Sequence, residues 1–409
     1  ICIRDQDVEP ITTAAYEGYR SSLNPDVSVR MLVANICLLL TVVAFIYPFL
    51  LYPRLLAIIA ARFPYRAIDA SPDAVPTVAL IVCALNEEKI IREKLENSLR
   101  LNYPKDKLRT IFVSDGSNDL TASIIQEYTS SGIVLIEKSV RRGKIQNLNE
   151  LIPTIEEDVI VLSDANVMYR PDAIRELVRP LGDPSIGCTS GKVVLVSTTA
   201  ALDGGTNDYY SMEWQLQANA SRVLSMVGAD GAMYAFRREL FRQCPQDTVI
   251  EDFVIPMQIL RQGKRVVFQP TAIGWEQGTA SIREEFNRKI RIAAGAMQSL
   301  LRGNGWPANC SWRAWLIFVS HKLLRWLSPV LGVCALVLAL LTNRNALSIL
   351  IVGSCLFLGV CAAARLTIKH NNRILDAAFY FVLGQVAIAI GLFKGLMGRQ
   401  SVLWAKADR

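Results

Sequence analysis

The sequence predicts an α/β domain on a parallel sheet, carried by membrane-spanning α-helices at both ends. Two observations predict it. From Thr77 onward, short apolar runs alternate with amphipathic stretches, the rhythm of a parallel sheet covered by helices on both faces. On either side of this region lie apolar runs of about bilayer length, long enough to cross a membrane as helices.

Composition narrows the class. The 409-residue chain is 51% hydrophobic, and the surplus is concentrated in long runs, as in a membrane protein. A net charge of +7 fits a cytoplasmic membrane face or an anionic substrate. Lys and Arg are dispersed and no aromatic-basic motif interleaves them, which speaks against a nucleic-acid partner. Nine cysteines are scattered without a CxxC pair, so neither a zinc cluster nor a disulfide framework is expected. The two histidines, His321 and His370, both border apolar runs. That excludes a Ser-His-Asp triad or a His-rich metal site from the polar half. Chemistry there has to rest on carboxylates, Lys and Arg, with or without a cation.

In order, the chain divides into an N-terminal segment (1–30), a transmembrane helix (31–53), a linker (54–76), a cytoplasmic α/β domain (77–280), amphipathic interface helices (281–313), C-terminal transmembrane segments (314–398) and a tail (399–409). The polar start reads as a short outer segment of a truncated or processed chain. No cleavable signal peptide is expected, because the first apolar run is long. Pro48 and Pro53 should end or kink the first membrane helix. Arg54, Arg62 and Arg66 follow it, so the positive-inside rule puts the next domain in the cytoplasm. Ser71 to Pro76 reads as linker.

Within the domain, strands are expected over Thr77–Ala84, Leu108–Val113, Ile133–Glu137 and Val159–Leu162, with helices between. Later come a strand over Gly187–Val196, a helix over Asn207–Met226, a glycine-flanked turn at Gly228-Ala229-Asp230-Gly231, a strand over Ala232–Phe236 and a helix over Phe253–Gln262. Ile282–Leu301 carries an apolar stripe at helical spacing opposite charged residues, so it is expected to lie along the membrane surface. Three apolar segments follow, Ala314–Leu341, Leu347–Ala364 and Ile374–Leu396. The first holds His321, Lys322 and Arg325 among aromatics, suggesting an interfacial half that turns inward at Pro329. One crossing before the domain and three after it would put both ends outside, whereas Lys394, Arg399, Lys406 and Arg409 favour a cytoplasmic tail.

Chemistry centres on Asp164. Val159–Leu162 is four consecutive β-formers that need cover on both faces, and Asp164 then stands at the strand's carboxyl end, where open α/β sheets place ligands. Asp164 and Asn166 offer two side-chain oxygens suited to a hard divalent cation, although such a triplet also starts turns and caps helices. The polar clusters after the earlier strands fall at equivalent ends.

Taken in order, Ala84-Leu85-Asn86-Glu87-Glu88, Asp115-Gly116-Ser117-Asn118-Asp119, Arg142-Gly143-Lys144, Asp164-Ala165-Asn166, Gly228-Ala229-Asp230-Gly231 and Glu251-Asp252 resemble the motifs of family-2 glycosyltransferases. The chain is similar to the membrane-embedded branch that includes catalytic subunits of cellulose, hyaluronan and poly-N-acetylglucosamine synthases. This resemblance spans about Thr77 to Leu301. It implies an α/β GT-A (nucleotide-diphospho-sugar transferase) domain plus transmembrane α-helices, a UDP-sugar donor, Mg²⁺ or Mn²⁺, and inversion at the anomeric carbon. Asn86, Glu87 and Asp115 would hold uridine, since carboxylates accept hydrogen bonds from ribose hydroxyls or the uracil N–H. Lys144 would reach the diphosphate as a point charge, the alternative being an exposed helix-start lysine. Asp164 and Asn166 would clamp the metal. Asp252 would be the general base, and Glu251-Asp252 also suits a helix N-terminus. Asp230, Glu251, Arg288 and Arg291 would face the acceptor, with a plain turn for Asp230 and lipid headgroups for the arginines as rival readings.

Two departures from the family pattern stand out. Its metal motif usually ends in Asp, where this chain has Asn166, so Asn166→Asp should keep or tighten metal binding. Its processive members usually carry Gln-x-x-Arg-Trp, where this chain reads Arg288-Lys289-Ile290-Arg291-Ile292. The aromatic platform for an acceptor sugar is missing from its usual place, with Trp275 or Trp306 as substitutes. Three functions compete: an enzyme of the cytoplasmic (inner) membrane that builds a β-linked polysaccharide and helps pass it across, with an accessory export subunit among its partners; a transferase adding one sugar to a lipid-linked acceptor; and a non-catalytic scaffold with a degenerate nucleotide fold.

Overall fold

The structure, a computed structural model, describes residues 25–63, 75–196, 203–277, 281–342, 345–367 and 372–400. The N-terminal segment through residue 24, part of the expected linker (residues 64–74, with Arg66), His370 and the tail from residue 401, with Lys406 and Arg409, lie outside the described residues.

The first membrane helix does not end at its prolines. Helix α1 (Pro25–Ile46) passes through a π-helical turn (Tyr47–Leu51) into α2 (Tyr52–Ala60). Pro48 and Pro53 each withhold a backbone N–H, and the wider π turn absorbs the loss without breaking the helix. The early part of the expected linker is therefore helix.

The α/β domain follows as β1 (Val78–Ala84), α3 (Ile91–Leu99), β2 (Leu108–Asp115), α4 (Thr121–Glu127), β3 (Ile133–Lys138), α5 (Lys144–Leu151), β4 (Val159–Asp164), β5 (Val167–Tyr169), α6 (Ala173–Val178), β6 (Ile186–Val196), α7 (Asp203–Val223), β7 (Met233–Arg237), α8 (Glu251–Arg261) and β8 (Arg265–Gln277). Among the described residues one eight-stranded sheet runs in the order β3-β2-β1-β4-β7-β6-β8-β5. Its first four strands are parallel, as expected from the sequence. The rest corrects the all-parallel expectation: β7 is antiparallel to β4 and β6, and β5 is antiparallel to β8. Strands β5 and β8 escape the sequence reading. The first is only three residues long, and Pro270 interrupts the apolar run of the second.

Strand β1 explains the near-continuous apolar runs. Val78, Leu80, Val82 and Ala84 enter one core layer, while Ala79 and Ile81 enter the other. With both faces covered, the strand loses the polar alternation of a half-exposed sheet. Burying a Val, Leu or Ile side chain stabilises the fold by about 1.5–3 kcal/mol. This burial sets the parallel register that aligns the chemistry-bearing ends of β2 and β4.

Helix α9 (Ile282–Leu301) has the bounds expected from its periodicity; Ile290, Ala293, Ala294 and Leu300 of its apolar stripe are buried in protein, while Ile282 and Leu301 at its ends are exposed. It packs along α13 (Arg373–Leu396), the last of the helices that follow it after α10 (Trp312–Phe318), α11 (Leu324–Leu341) and α12 (Ala346–Thr367). A Cβ at Gly391 of α13 would stand 2.5 Å from the Ile290 carbonyl oxygen, so the two helices meet backbone to backbone. Gly295, on α9 itself, lies against Val249 and Ile250.

Among the described residues, four helical segments are long and apolar enough to cross a membrane: Val29–Ala60, Trp312–Leu341, Ala346–Arg365 and Ile374–Leu396. They present Leu40, Val333 and Leu356 outward, as lipid contact requires. The chain is a membrane protein. The irregularity in the second segment falls at a π turn (Val319–Leu323), and Pro329 sits inside continuous helix. At that turn His321 Nε2 lies 2.8 Å from Glu213 Oε1, and Arg325 donates to Glu213 Oε2 at 2.9 Å. Tyr47 and Ser320 hydroxyls meet at 2.9 Å, joining the two π turns.

Candidate active site

The site forms where β1, β2 and β4 end and α8 begins. After β1, Asn86 takes the left-handed conformation (φ 55°), which asparagine tolerates better than most residues. Its amide N–H donates to Ser117 Oγ at 3.1 Å and its Oδ1 accepts from Asn118 N–H at 2.9 Å. Glu87 N–H donates to Thr121 Oγ1 at 2.8 Å. The turns after β1 and β2 are thus laced into one ledge.

Asp115 ends β2 and is buried. Its carboxylate accepts from Arg142 N–H (2.9 Å), Gly143 N–H (2.8 Å) and Asn147 Nδ2 (2.8 Å). A carboxylate offers about four lone-pair positions, so three internal donors leave little for a uridine. In this structure Asp115 holds the loop that delivers Lys144. Gly116 (φ 68°) is needed beside it, because a Cβ there would lie 2.5 Å from Arg141 N.

Lys144 opens α5 and is no exposed helix-start lysine. Its side chain is 10% exposed, and its ammonium bonds Asp164 Oδ1 at 2.9 Å and Glu251 Oε1 at 2.7 Å. Burial works against its charge, but the carboxylates of Asp164 and Glu251 hold it well above the usual lysine value. One cation therefore joins the end of β4 to the start of α8.

Asp252 stands beside this bridge, half-buried. Burial and the neighbouring Glu251 push its carboxyl up to about 6, against the opposing pull of Lys144, Arg291 and Lys322. Gly231 of the expected acceptor turn packs on it: a Cβ there would be 2.9 Å from Asp252 Oδ2. Ala229 N–H donates to the Asp252 carbonyl at 2.9 Å. Asp230 is anchored by its N–H to Ser190 Oγ at 2.9 Å. Burial raises its carboxyl to about 7; the Ala232 N–H opposes the rise, and Glu276, Asp252 and Asp164 add to it.

The two arginines of α9 part company. Arg291 reaches the Val249 carbonyl at 3.4 Å, close to the start of α8. Arg288 bonds Glu285 on its own helix at 2.8 Å. Of the candidate platform residues, Trp306 stacks on Trp315 and donates to the Leu300 carbonyl, so it serves packing. Trp275 is exposed on β8.

Asn166 Nδ2 donates to Glu276 Oε1 at 2.8 Å, which leaves the amide oxygen as the atom available to a cation. With the half-exposed Asp164 carboxylate this makes two hard oxygen donors, a set that Mg²⁺ or Mn²⁺ accepts when phosphate and water complete the shell. Among the described residues no group of three His, Cys, Asp or Glu side chains is gathered that could hold an ion unaided. The donor chemistry fits a cation shared with a diphosphate.

Two further residues escaped the sequence reading. Lys94 of α3 is fully buried and donates to Ser163 Oγ at 2.8 Å and to the Val167 carbonyl, with its ammonium 4.2 Å from the Tyr169 ring centroid. It clasps the Asp164–Asn166 turn from beneath. Burial lowers it to about 7 despite the attraction of Asp164. Nothing in a helical register marks such a lysine as buried; only the contact with β4 and β5 does. Glu276 was hidden with its strand.

An α/β sheet carrying carboxylates at its strand ends, bridged by a lysine to a helix-start acid pair and tied to membrane helices, defines the nucleotide-diphospho-sugar transferase class. The chain belongs to the glycosyltransferase like family 2, whose family model matches residues 76–295. A probable glycosyltransferase of Bacillus subtilis (strain 168), YdaM, is 26% identical over 238 residues, 56% of this chain and 57% of that protein. The poly-beta-1,6-N-acetyl-D-glucosamine synthase of Staphylococcus aureus (strain COL) is 22% identical over 240 residues, 57% of this chain and 58% of that protein. The matching region thus spans a little over half the length of these relatives. Among solved structures, the mannosyltransferase PcManGT from Pyrobaculum calidifontis, in complex with GDP-Man and Mn²⁺, superposes with a TM-score of 0.70 at 22% identity, covering 90% of this chain and all of that one. The fold is GT-A with membrane helices attached.

Proposed function

We propose that the chain is an inverting glycosyltransferase of the cytoplasmic membrane that moves a sugar from a UDP-sugar onto a glycan, building a β-linked polysaccharide. The observation that carries this reading is the Lys144 bridge between Asp164 and Glu251, with Asp252 alongside. It joins the end of β4 to the start of α8, beside the turn that holds Gly231, which supports placing donor and acceptor there. Asp164 and the Asn166 amide oxygen would hold Mg²⁺ or Mn²⁺; when bound, that ion stabilises the charge of the departing diphosphate. Lys144 adds a buried positive charge on the same side, worth more there than in water. Asp252, ionised at neutral pH given a value near 6, accepts the proton of the attacking hydroxyl. Asn86, Glu87 and the ledge they share with Asn118 would seat the nucleoside.

A second reading, addition of one sugar to a lipid carrier, is favoured by Ile292 at the platform position and by Arg288 turning back to Glu285. The test is nucleotide release from a panel of UDP- and GDP-sugars, followed by sizing of the product. A long, polydisperse glycan is expected. A product of one added sugar extractable into organic solvent would select the second reading, and no release with any donor would reject both.

A further inference from the structure

Asn166 is the place where this chain departs from the acid pair of its family, and the structure holds a counterpart to that departure. Strand β5 pairs antiparallel with the end of β8, setting Val167 opposite Glu276. This register carries Glu276 to the Asp164–Asn166 turn from more than a hundred residues away in sequence. Asn166 is 5% exposed, so its amide has little room to turn, and its Nδ2 donates to Glu276 Oε1 at 2.8 Å.

An ionised carboxylate only accepts hydrogen bonds, whereas an amide has one donating and one accepting end. The hydrogen-bond network therefore decides which way an asparagine faces. With Glu276 alongside, the NH₂ end must point to Glu276 and the oxygen away from it. The same contact places a formal negative charge one hydrogen bond from position 166. A neutral asparagine thereby gains both the orientation and the nearby charge that an aspartate would bring by itself.

We propose that Glu276 is the positioning residue of the Asp164–Asn166 cation site: it fixes the Asn166 amide oxygen-first and supplies the negative charge missing at position 166. This rests on the cation reading given above. It also reverses the expected effect of Asn166→Asp. A carboxylate placed at hydrogen-bond distance from that of Glu276 meets like charge, so one of the two must take a proton or turn away. The single change should weaken cation binding, and Glu276→Gln should rescue it by offering an NH₂ to the new carboxylate.

The test is Mn²⁺ binding in the presence of UDP, followed by the electron paramagnetic resonance signal of the free ion, on the full-length chain in detergent. Thermal unfolding of each variant checks that it folds. Partners of metal ligands typically contribute 10–100-fold in affinity, so Glu276→Ala is expected to weaken Mn²⁺ binding by about that factor. Asn166→Asp is expected to bind more weakly than wild type, and Asn166→Asp combined with Glu276→Gln to return to about wild-type affinity. Wild-type Mn²⁺ affinity in a folded Glu276→Ala variant would overturn the proposal. So would a double variant no better than Asn166→Asp alone. If wild type itself binds no Mn²⁺ with UDP, or if Asp164→Ala binds as well as wild type, the cation reading falls and the proposal with it. Loss at Asp164 with indifference at Glu276 removes the proposal alone.

Discussion

Lys144 and Glu251 meet at 2.7 Å, both with side chains about one-tenth exposed. The first belongs to the parallel half of the sheet and the second to the helix whose first turn packs on Gly231. Removing one partner of a buried ion pair strands the other, at a cost of about 3–5 kcal/mol. Lys144→Met is therefore expected to lower the thermal midpoint clearly. Lys144 also pulls the Asp252 carboxyl down, so any residual activity should show its acid limb at higher pH than wild type. An unchanged midpoint and limb would separate Lys144 from both roles.

Lys94 gives a stability prediction whose sign follows from burial. Its folded value is lowered to about 7 from 10.5, so between these the unfolded chain binds more protons than the folded one. Stability then rises with pH across that window and is lost as pH falls through 7. Comparing wild type with Lys94→Met by thermal unfolding at pH 7 and pH 10, the variant is expected to lack that part of the rise. Parallel pH dependences would show that Lys94 titrates normally.

Asp230 has the opposite sign. Its folded carboxyl is raised from 3.8 to about 7, so the stability it contributes is present below its unfolded value and lost as pH rises through 7. Asp230→Asn, which resembles the protonated form, is expected to be more stable than wild type at pH 8 and similar at pH 4. Its transfer activity should fall, because the residue lies in the turn against Asp252. Equal stability at both pH values would contradict the burial of an ionised group there.

Arg291 and Arg288 should differ. Arg291 approaches the Val249 carbonyl and lowers the Asp252 carboxyl, whereas Arg288 is turned to Glu285. Arg291→Ala is expected to nearly abolish transfer in detergent and in bilayers alike. Arg288→Ala should be mild and sensitive to anionic lipid. Equal small effects of both, rescued by anionic lipid, would confine the helix to membrane contact.

How far the sequence could be read follows from the range of the interactions. Strands β1, β2 and β4 were legible because burial on both faces leaves an uninterrupted apolar run, and Asp115 and Asp164 were legible because they end such runs. Helix α9 was legible in its bounds from periodicity alone, but not in what covers its stripe, which Gly391 and Gly295 reveal only through close approach. The π turns at Tyr47–Leu51 and Val319–Leu323 leave no periodic mark. Lys94, Glu276 and the Glu213–His321–Arg325 cluster depend on partners far away in the chain, where neither spacing nor propensity carries a signal.

The central claim, sugar transfer with Asp252 as the base, is tested most directly by measuring acceptor-dependent UDP release as a function of pH in wild type and Asp252→Asn. A positioned base contributes about 10²–10⁴-fold. Wild type is expected to lose activity as pH falls through about 6, and the variant to fall by at least about a hundredfold while still binding UDP. Turnover of the folded variant above about a tenth of wild type, less than the smallest effect of a positioned base, would contradict the claim.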